Sequence, residues 1–172
     1  MTDDIKKRLD VVLVAGGKYH DIDFARLELL KLLAEDDRIR TRVYEDYSNL
    51  HAISNADFLI TYTCDVRPTL EEQKVLKNFV SNGKRWLALH GTNSILQFLS
   101  DGRVDCPRVA PIFMETLGSQ FLSHPPIEPY TVTVADGEHH LVEGVEPFET
   151  TDELYLMETH GELHVLLETE FE

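Results

Sequence analysis

Two histidines occupy positions in the sequence where side chains commonly carry out chemistry. His20 follows the first apolar segment of the chain, just after Gly16-Gly17, and His90 directly follows the third apolar segment. An imidazole serves near neutral pH as a general base, a proton donor or a metal ligand. Both histidines are therefore candidate site residues. The alternative for each of them is a loop histidine that bonds only to backbone.

The glycine pair before His20 has two interpretations. Gly16 and Gly17 could let backbone amides approach an anionic or hydroxyl-rich ligand, or they could supply a loop that needs positive φ. The pair does not continue into GxGxxG, and it lacks the Lys-Ser/Thr ending of a P-loop. The sequence therefore gives no support for nucleotide binding.

Three short apolar segments, at residues 10–15, 58–63 and 85–89, must position these histidines. Continuous apolar runs are typical of strands in a parallel sheet, because helices cover both faces of such a sheet. We predict that the three strands are neighbours in one parallel sheet of an α/β fold. Ligands of open α/β sheets bind outside the carboxyl ends of the strands, where His20 and His90 both fall.

Two helices are predicted between these strands. The first has Asp23 available as N-cap and near-helical apolar spacing at Phe24, Leu27, Leu30 and Leu33. The second opens with the capping box Thr69-Leu70-Glu71-Glu72 and stops at Asn82-Gly83. Its predicted inward-facing residues are Val75, Leu76, Phe79 and Val80.

The remaining segments have weaker patterns. Residues 38–45 alternate weakly, as an edge strand does, and residues 130–134 alternate strictly. Residues 153–157 and 164–169 are further strand candidates. No repeat and no linker-like change in composition interrupts the chain, so we predict a single domain over residues 1–172.

The composition excludes several classes of partner. The chain of 172 residues has 31 Asp and Glu against 16 Lys and Arg, which gives a net charge of -15. Such a charge repels phosphate backbones and anionic membrane surfaces, so we expect neither as a partner. No signal-peptide pattern is found, and Cys64 and Cys106 form neither a CxxC motif nor a disulfide framework. We expect a cytoplasmic protein with free thiols, and the sequence leaves open whether it forms a homo-oligomer.

A series of short motifs runs in order along the chain from about residue 11 to residue 158. The first part contains Val14-Ala15-Gly16-Gly17 with His20, then Thr69-Leu70-Glu71-Glu72-Gln73, then Leu87-Ala88-Leu89-His90-Gly91. The second part contains residues 118–125, of the form Gly-x-x-Phe-x-x-His-Pro, then Asp136-Gly137-Glu138-His139 and Asp152-Glu153-Leu154-Tyr155. In these motifs and in their order, the chain resembles the ThuA-like (trehalose utilisation) family.

The resemblance implies a flavodoxin-like fold similar to the glutaminase domain of class I glutamine amidotransferases, a three-layer sandwich with a mainly parallel sheet. In those enzymes a cysteine nucleophile occupies the sharp turn after a central strand, and a histidine and a glutamate assist it. Here the corresponding turn carries His90, and an imidazole cannot form the thioester intermediate. We therefore expect no glutaminase activity, since neither Cys64 nor Cys106 lies at such a turn.

The chain departs from the family pattern at two places. His140 stands where a proline usually follows the motif histidine, so the turn at His139 is expected to differ. The family's later Gly-Arg strand and Gly-His element are not found before Glu172. The chain is thus expected to be either a short variant or a domain that lacks part of its closing edge.

The resemblance also supplies a function and a set of site residues. It implies a role in carbohydrate metabolism, with a sugar or keto-sugar derivative as substrate of a hydrolase or lyase. The predicted catalytic residues are His20, His90, His124 and Glu153. If a divalent metal such as zinc, nickel or iron is bound, its predicted ligands are His20, His90 and His124. The predicted substrate-binding residues are Gly16, Gly17, His139 and Tyr155.

The alternative function is a non-catalytic domain that binds a carbohydrate or an effector on a glutaminase-like fold. In that case aromatic residues such as Tyr19, Phe121 and Tyr155 would stack on the ligand. The two functions predict different geometries. Histidines within hydrogen-bond reach of one another favour the enzyme, whereas dispersed histidines beside an open aromatic surface favour binding alone.

Overall fold

The computed structural model describes residues 7–170 and is built around a four-stranded parallel sheet. The strands are β1 (Leu9–Gly17), β2 (Ile39–Tyr44), β3 (Phe58–Cys64) and β4 (Arg85–Leu89), in the order β2-β1-β3-β4. All three pairs are parallel, so the predicted strands 10–15, 58–63 and 85–89 are confirmed as neighbours in one sheet. The weak alternation of residues 38–45 belongs to the edge strand β2.

Helices cover both faces of this sheet, which gives the three layers predicted for an α/β sandwich. Helix α1 (Ile22–Leu33) packs on the face formed by Val11, Leu13 and Ala15. The opposite face packs against α2 (Leu50–Asn55), α3 (Leu70–Ser81) and α4 (Pro111–Leu117). Because successive residues of β1 point to opposite faces, its continuous apolar run fills both cores at once.

The helices agree with the sequence predictions apart from two corrections, one to the N-cap of α1 and one to the inward face of α3. The N-cap of α1 is Asp21, whose side chain accepts a hydrogen bond from the Phe24 backbone N–H at 2.9 Å, so the expected cap, Asp23, lies inside the first turn. The capping box of α3 is confirmed, with Thr69 and Glu72 bonding to each other's backbone N–H groups. Val80, predicted to face inward, is exposed.

The second half of the chain forms smaller antiparallel units beside the carboxyl edge of the sheet. Strands β5 (Gln97–Phe98) and β6 (Val104–Asp105) pair as a hairpin, and β7 (Ser119–Ser123) pairs with β10 (Leu156–Thr159). Strand β8 (Glu128–Val134) lies between β9 (Phe148–Asp152) and β11 (Leu167–Glu168).

The predicted strand at residues 130–134 is confirmed as part of β8. The candidate at residues 153–157 is largely wrong, because residues 153–155 form an irregular link between β9 and β10. Of the candidate strand at residues 164–169, only Leu167–Glu168 forms a strand. Among the helices within residues 7–170, none combines the length and the apolar character that a membrane-spanning helix requires.

Candidate active site

Unusual backbone conformations concentrate at the carboxyl edge of the parallel sheet. Tyr19, Asp65 and His90 follow β1, β3 and β4 and have φ angles of 70°, 54° and 45°. Within residues 7–170 they are the only non-glycine residues with positive φ. Each such residue costs about 1–3 kcal/mol, and such strain persists mainly where function requires it. This edge is also where open α/β sheets bind ligands.

His90 stands at the centre of this edge. It is the first residue of a short 3-10 helix (His90–Asn93) directly after β4, which confirms the predicted sharp turn. Its ring stacks on Tyr155 with centroids 4.6 Å apart. Its Nε2 atom lies 3.1 Å from the Tyr155 hydroxyl and 3.2 Å from Glu153 Oε2. The strained turn thus directs this imidazole at a carboxylate and a phenol.

His20 approaches the same point from the loop after β1. Its ring centroid lies 4.6 Å from that of His90, and its Nε2 lies 3.4 Å from the Tyr155 hydroxyl. Burial, and after it the neighbouring His90 ring, lower the pKa of His20 below its usual range. The ring is therefore neutral at physiological pH and keeps a lone pair available for a ligand.

Glu153 and Tyr155 come from the irregular link between β9 and β10, which passes over the edge of the parallel sheet. Tyr155 packs against Phe121 of β7, with ring centroids 4.4 Å apart. Burial, reinforced by the charge of Glu153, raises the pKa of the Tyr155 phenol. Its hydroxyl consequently stays protonated at physiological pH and can donate a hydrogen bond.

His20, His90 and Glu153 together form a set that could hold a metal ion. One ligand atom from each lies within 4.8 Å of those of the other two. Two imidazoles and one carboxylate are a ligand set suited to zinc and to iron, and three protein ligands leave positions open for water or substrate.

His124, predicted as the third metal ligand, lies on the outer side of Glu153. Its Nε2 is 3.8 Å from Glu153 Oε1, and its Nδ1 donates a hydrogen bond to the Pro125 carbonyl at 2.8 Å. The geometry thus puts Glu153 at the position that the sequence had suggested for His124. In the neutral ring the bond to Pro125 fixes the proton on Nδ1, so Nε2 is free to accept a proton.

His139, predicted to bind substrate, lies in a separate surface group. It stacks on His140 with centroids 4.6 Å apart and meets the His164 ring edge-on at 5.1 Å. His164 in turn contacts the Asp136 carboxylate at 2.7 Å. His139 therefore does not join the histidines at the sheet edge.

A cavity of about 380 Å³ opens above the cluster. Its polar lining consists of His20, Cys64, Ser94, Ser123, His124, Glu153 and Tyr155. A second cavity of about 320 Å³ shares Glu153 and Tyr155 with the first and also contacts His90. The cluster therefore borders space of the size that small molecules occupy.

Comparison with known proteins identifies the family. The sequence matches the family described as ThuA, trehalose utilisation, over residues 10–172. The chain belongs to the ThuA family. No curated protein matches it.

Two solved structures share the fold of this ThuA chain. A ThuA-like protein from Bacteroides uniformis ATCC 8492 has a TM-score of 0.72 at 17% identity, with 95% of this chain and 69% of the other covered. A ThuA-like protein from Parabacteroides merdae ATCC 43184 has a TM-score of 0.64 at 17% identity, with 95% and 68% covered. The chain therefore shares its architecture with both of these proteins.

The two glycines of the ThuA chain's first motif have a clear packing role. They lie at the end of β1 itself, not in a loop. A Cβ atom on Gly16 would fall 2.0 Å from the Glu45 carbonyl oxygen, and one on Gly17 would fall 1.9 Å from that of Cys64. Gly17 also has a φ of +106°. Both positions therefore require glycine for backbone contact, and their contact with substrate stays a prediction.

The cysteines do not supply an activated nucleophile. Cys64 lines the cavity, but burial raises the pKa of its thiol to about 12. Burial also raises the pKa of the Cys106 thiol. Because the thiolate is the reactive form, neither residue is poised for attack at neutral pH. The absence of glutaminase activity stays a prediction that this chemistry supports.

Sequence reasoning missed two residues that shape the site. Tyr62 of β3 stacks near His90, with centroids 6.0 Å apart, and meets the His20 ring edge-on. Its position inside an apolar run gave no functional signal. Gly91, in the motif with His90, makes room for His20, because a Cβ atom there would lie 3.0 Å from His20 Nε2 and 2.9 Å from the Thr63 carbonyl oxygen.

We predict that Gly91→Ala moves the His20 ring out of the cluster. The new methyl group meets fixed backbone on one side, so the imidazole must give way. His20 then becomes more exposed, and its pKa rises towards the value of a free histidine. An NMR titration of the histidine ring protons measures this, with Gly137→Ala as control because nothing lies within 4 Å of a Cβ there. An unchanged His20 titration in Gly91→Ala would contradict the arrangement.

Proposed function

We propose that this ThuA protein is an enzyme of carbohydrate metabolism that acts on a sugar or keto-sugar derivative, with a divalent metal ion held by His20, His90 and Glu153. The observation that carries the proposal is the convergence of these three side chains within 4.8 Å at the strained edge of the sheet. Clustered histidines favour a catalytic site over a site that only binds.

The arrangement of hydrogen-bond acceptors supports a metal ion. With the imidazole protons on Nδ1, His20 Nε2 and His90 Nε2 both turn a lone pair to the Tyr155 hydroxyl, at 3.4 Å and 3.1 Å, and its one proton can serve only one of them. Glu153 Oε2 adds a further acceptor 3.2 Å from His90 Nε2. In that tautomer a divalent cation would accept electron pairs from both imidazole nitrogens and from the carboxylate together. The lowered pKa of His20 suits this role, since ligands bind in their deprotonated form.

Two further side chains supply proton transfer and hydrogen bonding. A bound divalent ion would polarise a carbonyl or hydroxyl group of the sugar. Tyr155, kept protonated by burial, donates a hydrogen bond to the oxygen that gains negative charge. His124 lines the cavity with a free Nε2 and acts as general base, and Glu153 Oε1, 3.8 Å away, stabilises the imidazolium that forms.

A hydrolase or lyase reaction is consistent with these roles. A lyase removes a proton next to a sugar carbonyl. This step needs a base to take the proton and a hydrogen-bond donor to stabilise the carbonyl oxygen as it becomes negative, which are the roles of His124 and Tyr155. The same base can instead activate a water molecule for hydrolysis. The trehalose utilisation of the family makes a disaccharide or its keto derivative the substrate to test first.

Metal titration of the purified protein tests the proposal. We expect metal-free protein to bind one equivalent of Zn²⁺ or Co²⁺ and Glu153→Gln to bind it at least about tenfold more weakly. Glu149→Gln, a change of the same type at an exposed position of β9, keeps the affinity. His164→Ala also keeps it, which separates the site from the surface histidine group.

Turnover is measured in parallel by NMR on trehalose-type disaccharides and their keto derivatives. Chelation should abolish product formation by the wild type, and one equivalent of metal should restore it. Equal metal affinity in wild type and Glu153→Gln, or full turnover in the presence of chelator, would contradict the proposal.

A further inference from the structure

The cavity above the cluster has an apolar lining that the proposed chemistry does not use. Besides the polar groups and Phe121, it is lined by Leu96, Phe98, Val104, Leu122 and the ring of Tyr19. Phe98 and Tyr19 are 57% and 55% exposed, and Val104 is 48% exposed. Single exposed apolar residues are ordinary, but several that line one concave site indicate binding. We call Tyr19, Leu96, Phe98, Val104 and Leu122 the apolar wall.

One buried carboxylate fixes two segments of the apolar wall. The Asp65 side chain is only 4% exposed, and its Oδ2 lies 3.0 Å from the Lys18 ammonium group next to Tyr19. Its Oδ1 accepts a hydrogen bond from the Leu96 backbone N–H at 3.2 Å, at the base of the β5–β6 hairpin. Asp65 itself has a strained φ of 54°. The wall is therefore attached to the same sheet edge that carries His90.

The far side of the hairpin is attached to β7. Gln120 donates a hydrogen bond from its side chain to the Cys106 carbonyl at 3.0 Å, and the Cys106 thiol contacts the Leu122 carbonyl at 3.3 Å. The rings of Tyr19 and Phe98, which both line the cavity, lie 5.6 Å apart and are tilted by 53°. Both ends of the hairpin are thus held, and the two rings meet as a pair.

The chemistry of the wall favours an apolar group over a second sugar ring as its complement. Leucine and valine side chains offer neither donors nor acceptors, so sugar hydroxyls placed against them would lose their hydrogen bonds to water. Aromatic rings and aliphatic groups instead favour an apolar substituent, because its burial removes apolar surface from water. The polar lining, with His20, Glu153 and His124, suits the hydroxyl-rich part of the same ligand.

We infer that the substrate is a glycoside with an apolar, aromatic aglycone: the sugar lies on the histidine cluster and the aglycone lies against the apolar wall. The inference rests on the proposed function, which supplies the sugar half of the ligand. The inference adds a substrate class to the proposed function. A disaccharide does not belong to this class, because both of its rings carry hydroxyl groups.

Calorimetric titration with matched glucosides tests the inference, since glucose is the sugar of trehalose. The probes are phenyl and methyl D-glucopyranosides of both anomers, which differ only in the aglycone. We expect the wild type to bind a phenyl glucoside about tenfold more tightly than the methyl glucoside of the same anomer. Phe98→Ala should lose most of that preference while its affinity for the methyl glucoside changes less than about twofold.

Phe24→Ala is the matched control, because this phenylalanine of α1 is 62% exposed and lies outside the cavity. It should keep the preference for the phenyl glucoside. Equal affinities for phenyl and methyl glucosides in the wild type would overturn the inference and leave the proposed function intact. Binding of neither probe would overturn the inference, whereas the metal titration decides the proposed function separately. A phenyl preference that depends on Phe98 would support the inference even if metal binding failed.

Discussion

His90→Ala should abolish turnover and leave the protein folded. The substitution removes a metal ligand and the partner of both Tyr155 and Glu153, so we expect a loss of at least about a hundredfold in turnover. The groups left without His90 border cavities and can bond to water. Stability should therefore fall by no more than about 1 kcal/mol. Thermal melting beside the turnover assay measures both effects.

His90→Gly separates the strain at this residue from its chemistry. Alanine keeps the cost of a φ of 45°, whereas glycine adopts this conformation freely. We expect His90→Gly to be more stable than His90→Ala by about 1 kcal/mol and equally inactive. A large loss of stability in His90→Ala together with retained turnover would mean that the residue serves the scaffold and not the reaction.

The largest effect on stability is expected for Gly17→Ala. A Cβ atom at this position would fall 1.9 Å from the Cys64 carbonyl oxygen, and the φ of +106° is one that alanine rarely adopts. Both β1 and β3 belong to the central sheet, so neither backbone can move without disturbing the core. We expect a loss of at least about 3 kcal/mol in the free energy of unfolding.

Urea denaturation measures the effect of Gly17→Ala. Gly137→Ala is the control, since nothing lies within 4 Å of a Cβ there, and it should change stability by less than about 0.5 kcal/mol. If the free energy of unfolding of Gly17→Ala lies within about 1 kcal/mol of the wild-type value, the close approach of β1 and β3 at the sheet edge is wrong.

The sheet could be predicted from the sequence because its signal is local. Runs such as residues 10–15 are apolar at every position only when both faces are buried, and β1 lies between two layers of helices. The prediction of Asp23 as the cap of α1 was wrong, because Asp21, two positions earlier, is of the same residue type and is the N-cap in the structure. The choice between them depends on where the chain leaves β1, which local sequence does not determine.

The positions of the strands predicted the site only where strands end in it, whereas Glu153 and Tyr155 were predicted through the family resemblance. His20 and His90 follow strands, so the rule for parallel sheets brings them together. The place of Glu153 depends on the irregular link between β9 and β10, and no periodic pattern describes that path. The sequence therefore suggested His124 as the third ligand, where the structure brings Glu153. The separation of His139 depends in the same way on the fold of the second half.

Anomalous diffraction from crystals of the protein grown with zinc tests the account most directly. Data collected on both sides of the zinc absorption edge locate the ion without reference to activity. The account predicts one strong anomalous peak between His20 Nε2, His90 Nε2 and Glu153, with Zn–N distances of about 2.0–2.1 Å. A peak at His139 and His164 alone, with none at the sheet edge, would contradict it.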